Sequence, residues 1–319
     1  MTSTTARVLF LHISVLATLA TTQFVASDYV VLSLARIMVL GVYAMGYNIL
    51  YGYAGMLSLG HAMFFATGLY AAAIGATRFC LTPPAAFVSA LAIGIAVSVA
   101  LGAVLLRAAS VAFMIVTLMF SQAAYLATFY FGDVTRGDEG IVIPDAIRVF
   151  SLFGLPVNLA DASTRYNLAL ALLGAVMALN IFLVRSRFGH VIVAIRENES
   201  RTEMLGYNVE RHKLIAFAIS GVISAVAGAA YALMFAFAGS TLASIQYSIQ
   251  PLLWTLVGGA GTVLGPPVGA ALMYLLVDVA SSYTNANLLA VGIVLIASVL
   301  FFPKGVLGEA RRRWAPWLP

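Results

Sequence analysis

The chain has 319 residues, of which 62% are hydrophobic and 9% are charged. Its mean hydropathy of +1.00 and its long apolar runs exclude a soluble all-α protein, which would need far more surface charge. The net charge of +5 indicates the cytoplasmic anchors of a membrane protein rather than a nucleic-acid-binding surface. With one cysteine and four scattered histidines, we predict no internal disulfide, no metal site and no cofactor on this chain.

We therefore predict an all-α, polytopic membrane bundle with broken or re-entrant segments, formed by one transmembrane domain over residues 1–319. About ten apolar segments are candidates for transmembrane helices. The first is interpreted as a retained helix, because no convincing signal-peptide cleavage site follows it before Asp28. The segment 246–261 is short enough to be re-entrant. The predicted spans are 8–26, 31–50, 61–78, 85–106, 110–131, 166–184, 214–238, 246–261, 264–281 and 286–302.

The distribution of charge predicts which side of the membrane each end of the bundle faces. Ten of the 17 Lys and Arg residues lie in 185–213 and 304–313, and the positive-inside bias places both segments in the cytoplasm. The other long polar stretch, 132–165, carries five acidic residues and three arginines. We predict that it is an extracytoplasmic loop and that both chain termini are cytoplasmic.

Two stretches rich in glycine interrupt the helical pattern. The first is YGYAGMLSLGH at 51–61, and the second is GGAGTVLGPPVGA at 258–270. Glycine and proline weaken helices, and irregular backbone at membrane depth survives only where protein buries it or a cavity hydrates it. Both stretches are therefore candidates for the translocation path, although 258–270 is equally typical of a hairpin turn. The candidate path residues are Asn48, Tyr51, Gly52, Ser58, His61, Gly258, Gly259, Gly261 and Gly265.

The charged stretch 185–213 contrasts with the apolar chain around it. Ser200 to Glu203 fits a capping box, and Gly206 is well placed to end a short helix after Leu205. Glu197 and Arg201 are four residues apart and are predicted to pair, with Met204 and Leu205 beside them as an apolar patch. This pattern is typical of a small docking element, and a solvated loop anchored by arginines is the alternative.

Four sequence blocks carry a family resemblance. The stretch SRFGHVIVAIRENESRTEMLGYNVERHKLIAFAIS, from Ser186, closely resembles the cytoplasmic-loop signature of permeases from ABC importers of the branched-chain amino acid type. YGYAGMLSLGHAMFFATGLYAAA (51–73), LVGGAGTVLGPPVGA (256–270) and FFPKGVLG (301–308) match further blocks in the family's order. The AIREN form and the PKG ending look more like the M-type subunit than its H-type partner.

The resemblance implies that 185–213 is a coupling loop seated in a cleft of a cytoplasmic ATPase. Within it, Arg201 and Thr202 stand where the family often has small residues. It also implies two ATPase subunits, a second homologous permease subunit, an extracytoplasmic substrate-binding protein and a bacterial inner-membrane location. The motif positions carried over as coupling residues are Arg196, Glu197, Asn198, Glu199, Arg201, Glu203, Leu205 and Gly206.

The lysines independently indicate that a partner must supply the energy. A P-loop needs a lysine followed by Ser or Thr, whereas Lys213 is followed by Leu214 and Lys304 by Gly305. We therefore predict that the chain is not itself an enzyme and that ATP and magnesium bind to separate ATPase subunits.

Other functions remain as alternatives. Relatives that move urea, amides or aromatic acids share much the same blocks, so branched-chain amino acids are the default substrate. An ion-coupled secondary transporter is disfavoured because no Asp or Glu lies in the middle of a predicted span, and a channel would not explain the charged loop. A membrane enzyme lacks a recognisable motif here. Arg36 and Asp278 lie near span ends, where anchoring at the membrane interface is the favoured interpretation.

Overall fold

A computed structural model describes residues 3–108, 110–152, 154–283, 287–302 and 304–313. The described part of the chain is predominantly helical, which confirms the all-α prediction. Four short strands accompany the helices: β1 (Ile141–Val142), β2 (Val149–Leu152), β3 (Leu155–Asn158) and β4 (Phe237–Ala238). The helices are α1 (Ser3–Thr22), α2 (Asp28–Asn48), α3 (His61–Thr77), α4 (Pro83–Leu105), α5 (Ser110–Tyr130), α6 (Gly132–Thr135), α7 (Ala162–Arg185), α8 (Arg187–Glu197), α9 (Glu199–Met204), α10 (Val209–Phe235), α11 (Ile245–Gly258), α12 (Gly265–Tyr283), α13 (Asn287–Phe301) and α14 (Gly305–Arg313).

Each of the ten predicted spans coincides with an apolar helix. By length and composition, five helices in the described residues could cross a bilayer: α2 with its π-helical extension, α4, α5, α7 and α10. The helix α11 has 14 residues, which is about 21 Å and too short for a hydrocarbon core of about 30 Å. The positions of the helices are thus confirmed, while the number of complete crossings stays a prediction.

The helix α10 lies at the centre of the bundle, between α2, α3 and α4. Small residues permit this packing: a Cβ atom on Gly228 would lie 1.9 Å from the carbonyl oxygen of Phe65, and one on Gly68 would lie 1.8 Å from that of Ala225. Lipid supplies no hydrophobic driving force between helices, so their association depends on van der Waals contact between closely packed backbones. Glycine and alanine residues therefore allow α3 and α10 to pack closely in the core of the bundle.

The segment 132–165, called here the hairpin segment, folds at the C-terminal end of α10. The strands β2 and β3 form an antiparallel hairpin, and β1 pairs with β4 directly after α10. Arg148 is buried and donates through Nε to the carbonyl of Leu233 at 3.1 Å and through Nη2 to that of Met234 at 2.7 Å. A cation at this end of the helix satisfies carbonyls that have no helical partner. The predicted loop is therefore a cap held by strand pairing, which the sequence analysis did not predict.

Both glycine-rich stretches interrupt helices, and the second does so over a shorter length than the sequence indicates. After α2 the chain makes a π-helix at Ile49–Tyr53 and is irregular until α3 begins at His61; residues 49–60 are called the first break. The second break is confined to 259–264. Pro266 and Pro267 do not interrupt a helix, because they lie in the first turn of α12, where a missing N–H costs nothing.

Candidate functional site

The coupling loop 185–213 folds as two short helices between α7 and α10. The Ser186 hydroxyl caps α8 by accepting from the N–H of Gly189 at 3.2 Å, and the Asn198 amide oxygen caps α9 by accepting from the N–H of Arg201 at 2.9 Å. The predicted capping box at Ser200 is therefore wrong. Asn198 has the extended backbone, φ −161° and ψ 103°, that an N-cap adopts, so the helix begins at Glu199. Gly206 ends it with φ +88°, as predicted.

The outer surface of this loop combines charge with exposed apolar side chains. Met204 is 80% exposed and Leu205 is 71% exposed. Thr202 is buried instead, and its hydroxyl donates to the carbonyl of Asn198 at 2.9 Å. Exposed apolar side chains at the tip of a charged knob are typical of a docking surface. The eight predicted coupling residues are all exposed: Arg196, Glu197, Asn198, Glu199, Arg201, Glu203, Leu205 and Gly206.

Two ion pairs lie within the coupling loop. Glu199 accepts from the ammonium group of Lys213 at 2.6 Å, which ties α9 to the first turns of α10. Glu197 pairs with its neighbour Arg196 at 3.0 Å. The predicted pair between Glu197 and Arg201 is therefore wrong. The pair at Arg196 and Glu197 is partly exposed, so we expect it to contribute little to stability.

Among the predicted coupling residues, Arg196 makes a hydrogen bond to the first break. Its Nη1 donates to the carbonyl oxygen of Gly52 at 2.5 Å. Its aliphatic stem covers Gly55, where a Cβ atom would lie 2.4 Å from the Cγ of Arg196 and where φ is +71°. A side chain at position 55 would therefore displace the arginine. A hydrogen bond from a charged donor to a backbone carbonyl is among the stronger hydrogen bonds in proteins. The coupling loop is therefore attached to the first break through Arg196.

Asn48 joins the first break to the second. Its amide nitrogen donates to the carbonyl of Thr262 at 2.9 Å, and its amide oxygen accepts from the N–H of Gly261 at 2.9 Å. Gly52 makes room for this pairing, since a Cβ atom there would lie 2.0 Å from the amide oxygen of Asn48. Asn48 is buried, so breaking these bonds would leave unpaired polar groups in the bundle.

The helix α14 holds the second break from the other side. Arg311 donates through Nη1 to the carbonyl of Gly261 at 3.1 Å. In the same helix Glu309 accepts from Arg312 at 2.5 Å and from Arg313 at 2.6 Å. These hydrogen bonds, that from Arg312 first, hold the pKa of Glu309 below its usual range. Sequence analysis did not predict a role for Arg311, whose partner lies 50 residues away along the chain.

His61 lies in a separate buried network at the start of α3. Its Nε2 is 2.8 Å from the hydroxyl of Ser220, which itself donates to the carbonyl of Gly46 at 2.6 Å. Since that hydroxyl uses its proton on Gly46, the ring proton is assigned to Nε2. The Nδ1 atom is 3.2 Å from the hydroxyl of Ser58. Both ring nitrogens are therefore satisfied, and His61 joins α2, α3 and α10 rather than facing an open space.

Eight of the nine candidate path residues thus fall into three groups, and Tyr51 lies apart from them. Asn48, Gly52 and Gly261 meet at the breaks, and Ser58 and His61 share the buried network. The remaining glycines pack the turn between α11 and α12: a Cβ atom on Gly258 would lie 1.8 Å from the carbonyl of Gly265, and one on Gly259 would lie 2.7 Å from the N–H of Gly308. Tyr51 lies against the ring of Tyr47 with centroids 5.8 Å apart.

A cavity of about 1070 Å³ separates the coupling loop from the turn that joins α4 to α5. Arg196, Glu199 and Lys213 line it on the side of the loop, and Met56 and Leu57 line it from the first break. The coupling loop, the first break and α5 therefore border one space.

Comparisons with known proteins find sequence relatives of this chain. A family profile described as branched-chain amino acid transport system / permease component matches residues 29–302. The high-affinity branched-chain amino acid transport system permease protein LivM of Salmonella typhimurium is 26% identical over 300 residues, covering 86% of this chain and 69% of the relative. The corresponding LivH protein of Salmonella typhimurium is 24% identical over 280 residues, covering 83% and 90%. The ribose import permease protein RbsC of Haemophilus influenzae is 31% identical over 124 residues, covering 35% and 37%. No solved structure matches the chain.

Proposed function

This chain belongs to the family of permease components of branched-chain amino acid transport systems, and from that premise we propose that it imports branched-chain amino acids as the M-type subunit of an ABC importer. ATP hydrolysis takes place on separate subunits, which fits a chain whose lysines form no P-loop. The observation that carries the proposal is the hydrogen bond between Arg196 and Gly52. It connects an exposed knob on the surface to a break in the membrane-embedded helices.

The coupling loop is the proposed contact with the ATPase. Met204 and Leu205 supply the apolar centre of the contact, and Glu197, Arg201 and Glu203 supply its charged rim, the arrangement that favours specific docking. Asn198 and Gly206 shape the loop by starting and ending α9. When ATP closes the partner subunits, movement of this knob pulls on the first break through Arg196. Asn48 passes the movement to the second break, giving a two-state element biased by nucleotide.

The proposed assembly has two ATPase subunits, a second homologous permease subunit and a substrate-binding protein. The hairpin segment faces outwards in this arrangement, because it folds at the opposite end of α10 from the coupling loop. Its β2–β3 hairpin is the proposed docking surface for the binding protein. Both termini are cytoplasmic, and the chain resides in the bacterial inner membrane.

The similarity to a ribose import permease makes sugars the alternative substrate class. It covers 35% of the chain, whereas the LivM and LivH relatives cover more than four fifths. Uptake by the complete complex in proteoliposomes, with leucine and ribose as competing probes, distinguishes the two. We expect leucine uptake and no ribose uptake.

The coupling role is tested by replacing Glu197, Arg201 and Glu203 together with alanine. Uptake and transport-stimulated ATP hydrolysis should both fall, because the charged rim that seats the loop is lost. The matched control is Arg187→Ala, an exposed arginine at the start of α8. If the triple variant transports leucine and stimulates hydrolysis as well as the control, the coupling assignment is wrong.

A further inference from the structure

A cavity of about 420 Å³ lies between α1 and α7. The two helices meet with opposite ends together, since the hydroxyl of Tyr166, early in α7, donates to the carbonyl of Leu19, near the end of α1, at 2.6 Å. Along α7 the cavity extends from Gly174 to Arg185, which is about 16 Å of helix. A hydrocarbon core of about 30 Å has leaflets of about 15 Å, so the cavity is as long as one leaflet.

The walls of this cavity are apolar over most of their length. The large apolar side chains along it are Leu9, Ile13, Leu16, Met177, Ile181 and Phe182. Ile13 and Phe182 are exposed, so the cavity opens at the lipid-facing surface of the bundle. No acidic side chain of the described residues lines it. An apolar cavity as long as one leaflet fits an acyl chain of a lipid, which gains by leaving no apolar wall uncovered.

Arg185 supplies a positive charge at one end of the cavity. It is the last residue of α7, and none of the ion pairs in the described part of the chain includes it. Ser186 also lines the cavity, but its hydroxyl already donates to the carbonyl of Leu183 at 2.7 Å and accepts from the N–H of Gly189 at 3.2 Å. Basic pockets between transmembrane helices on the cytoplasmic side bind anionic lipid headgroups. In the proposed orientation, in which 185–213 is cytoplasmic, Arg185 therefore lies at the level of the lipid phosphates.

His12 brings a second unpaired group to the same cavity. It is 3% exposed, and its Nδ1 atom lies 2.7 Å from the carbonyl oxygen of Val8. Because a carbonyl only accepts, the proton of the neutral ring is assigned to Nδ1, and Nε2 carries a lone pair. That Nε2 atom is buried and has no hydrogen-bond partner among the described residues. A buried acceptor of this kind is costly unless an occupant of the cavity donates to it.

The two unpaired groups together define the headgroup of the lipid. Arg185 requires an anion, and the Nε2 atom of His12 requires a donor close to that anion. Phosphatidylglycerol carries both, a phosphate and the hydroxyls of its terminal glycerol. Phosphatidylethanolamine offers an ammonium group as the donor, and no carboxylate in the cavity would offset its repulsion from Arg185.

We propose that the cavity between α1 and α7 binds one phosphatidylglycerol of the cytoplasmic leaflet, with its phosphate on Arg185, a headgroup hydroxyl on His12 and an acyl chain along the apolar walls. This goes beyond the proposed function, from which it takes only the orientation in the membrane. Arg185 ends α7, and Ser186 caps the first helix of the coupling loop. The bound lipid therefore contacts the junction between a membrane-embedded helix and the proposed ATPase contact.

The first test is lipid binding to the complete complex, purified in detergent, titrated with phosphatidylglycerol and measured by native mass spectrometry. Arg185→Gln should weaken binding about tenfold or more, the loss expected when a hydrogen bond to a charged group is removed. His12→Phe should weaken it about threefold, as the loss of a neutral hydrogen bond predicts. The matched control is Arg187→Gln, at an exposed arginine that does not line the cavity. Equal affinities of the Arg185→Gln and Arg187→Gln complexes would overturn the proposal.

The second test fills the cavity without changing a charge. Ala178 lines the cavity and is exposed, so Ala178→Trp should fold normally, occupy the place of the acyl chain and abolish the binding of phosphatidylglycerol. Ala175→Trp is the control, at an exposed position of the same helix that does not line the cavity. If both tryptophan variants bind the lipid as the wild type does, no acyl chain lies in this cavity.

Competition experiments on the wild-type complex identify the occupant. Phosphatidylcholine with the same chains should bind at least tenfold more weakly, because it has no hydroxyl donor and brings a fixed cation to Arg185. The soluble headgroup glycerophosphoglycerol should not displace the lipid. Equal binding of phosphatidylcholine would mean an unselective lipid surface, and displacement by the soluble headgroup would mean a site for free phosphate esters; either result contradicts the inference. Lipid binding is measured without solute or ATP, so failure of the proposed import function would leave these results unchanged.

Discussion

The coupling loop and the hairpin segment are the two polar ends of α10, and they use arginine in different ways. In the hairpin segment, Arg148 is 4% exposed and its donors are taken up by Asp145 and three backbone carbonyls. In the coupling loop, the side chain of Arg196 is 40% exposed and makes one hydrogen bond to Gly52 and one ion pair with Glu197. The first arginine closes a helix end, whereas the second joins the coupling loop to the first break. Under the proposed function, the hairpin segment is the rigid end of α10 and the coupling loop is the end that transmits movement.

The largest effect is expected from Arg148→Met, which tests whether the hairpin segment is rigid. The substitution leaves the carbonyls of Leu159, Leu233 and Met234 without their donor, and we expect it to cost about 3 kcal/mol of unfolding free energy. The measurement is the midpoint of thermal unfolding of the purified protein in detergent. Arg136→Met, at an exposed position in the same segment, should change the midpoint little. Equal midpoints for the two variants would mean that Arg148 does not hold this end together.

A smaller effect is expected from Gly52→Ala, which tests the contact between the two breaks. The added methyl group would collide with the Asn48 amide and with the N–H of Gly261, 2.5 Å away, and overpacking of this kind costs about 1–3 kcal/mol. Thermal unfolding and uptake should both be impaired. Gly292→Ala in α13 is the control, since nothing lies within 4 Å of its added methyl group. If the Gly52→Ala protein is as stable and active as this control, the contact between the two breaks is not needed for transport.

The exposed tip of the coupling loop should affect binding rather than folding. Replacing Met204 and Leu205 with serine removes apolar area that the permease does not itself bury, so the free energy of unfolding should stay within about 0.5 kcal/mol of the wild-type value. Binding of the ATPase subunits should weaken about tenfold, as loss of apolar anchors predicts. Co-purification and titration of the ATPase check this. Unchanged affinity would place the ATPase contact elsewhere.

The smallest effect is a pH dependence at α14. The pKa of Glu309 is held low by Arg312 and Arg313, so its contribution to stability is complete above the ordinary glutamate pKa. That contribution is lost as the pH falls through the lowered value. Glu309→Gln should therefore lower the unfolding midpoint slightly near neutral pH, and the difference from the wild type should vanish in acid. A difference that grows towards acid pH would contradict this ion pair.

Hydropathy and glycine content predicted the helices and both breaks, because span length and backbone disruption are local properties of the sequence. Gly206 was likewise predictable as a helix end. The choice of Asn198 over Ser200 as a cap was not, since both residue types cap helices equally well. The bonds of Arg148 to Leu233 and Met234, and those of Asn48 to Gly261 and Thr262, join residues more than 80 positions apart. Local pattern carries no signal for such contacts, so the links between the breaks required the structure.

The central claim is that movement of the coupling loop reaches the first break through the hydrogen bond from Arg196 to Gly52. The substitution Arg196→Gln tests this most directly. Uptake and ATP hydrolysis are measured in the same proteoliposomes, with Arg187→Gln as the control on α8. Hydrolysis should continue, because the docking tip is intact, while leucine uptake per ATP hydrolysed should fall about tenfold with the loss of a charged hydrogen bond. If uptake per ATP stays at the control value, force does not pass from the loop to the break through Arg196.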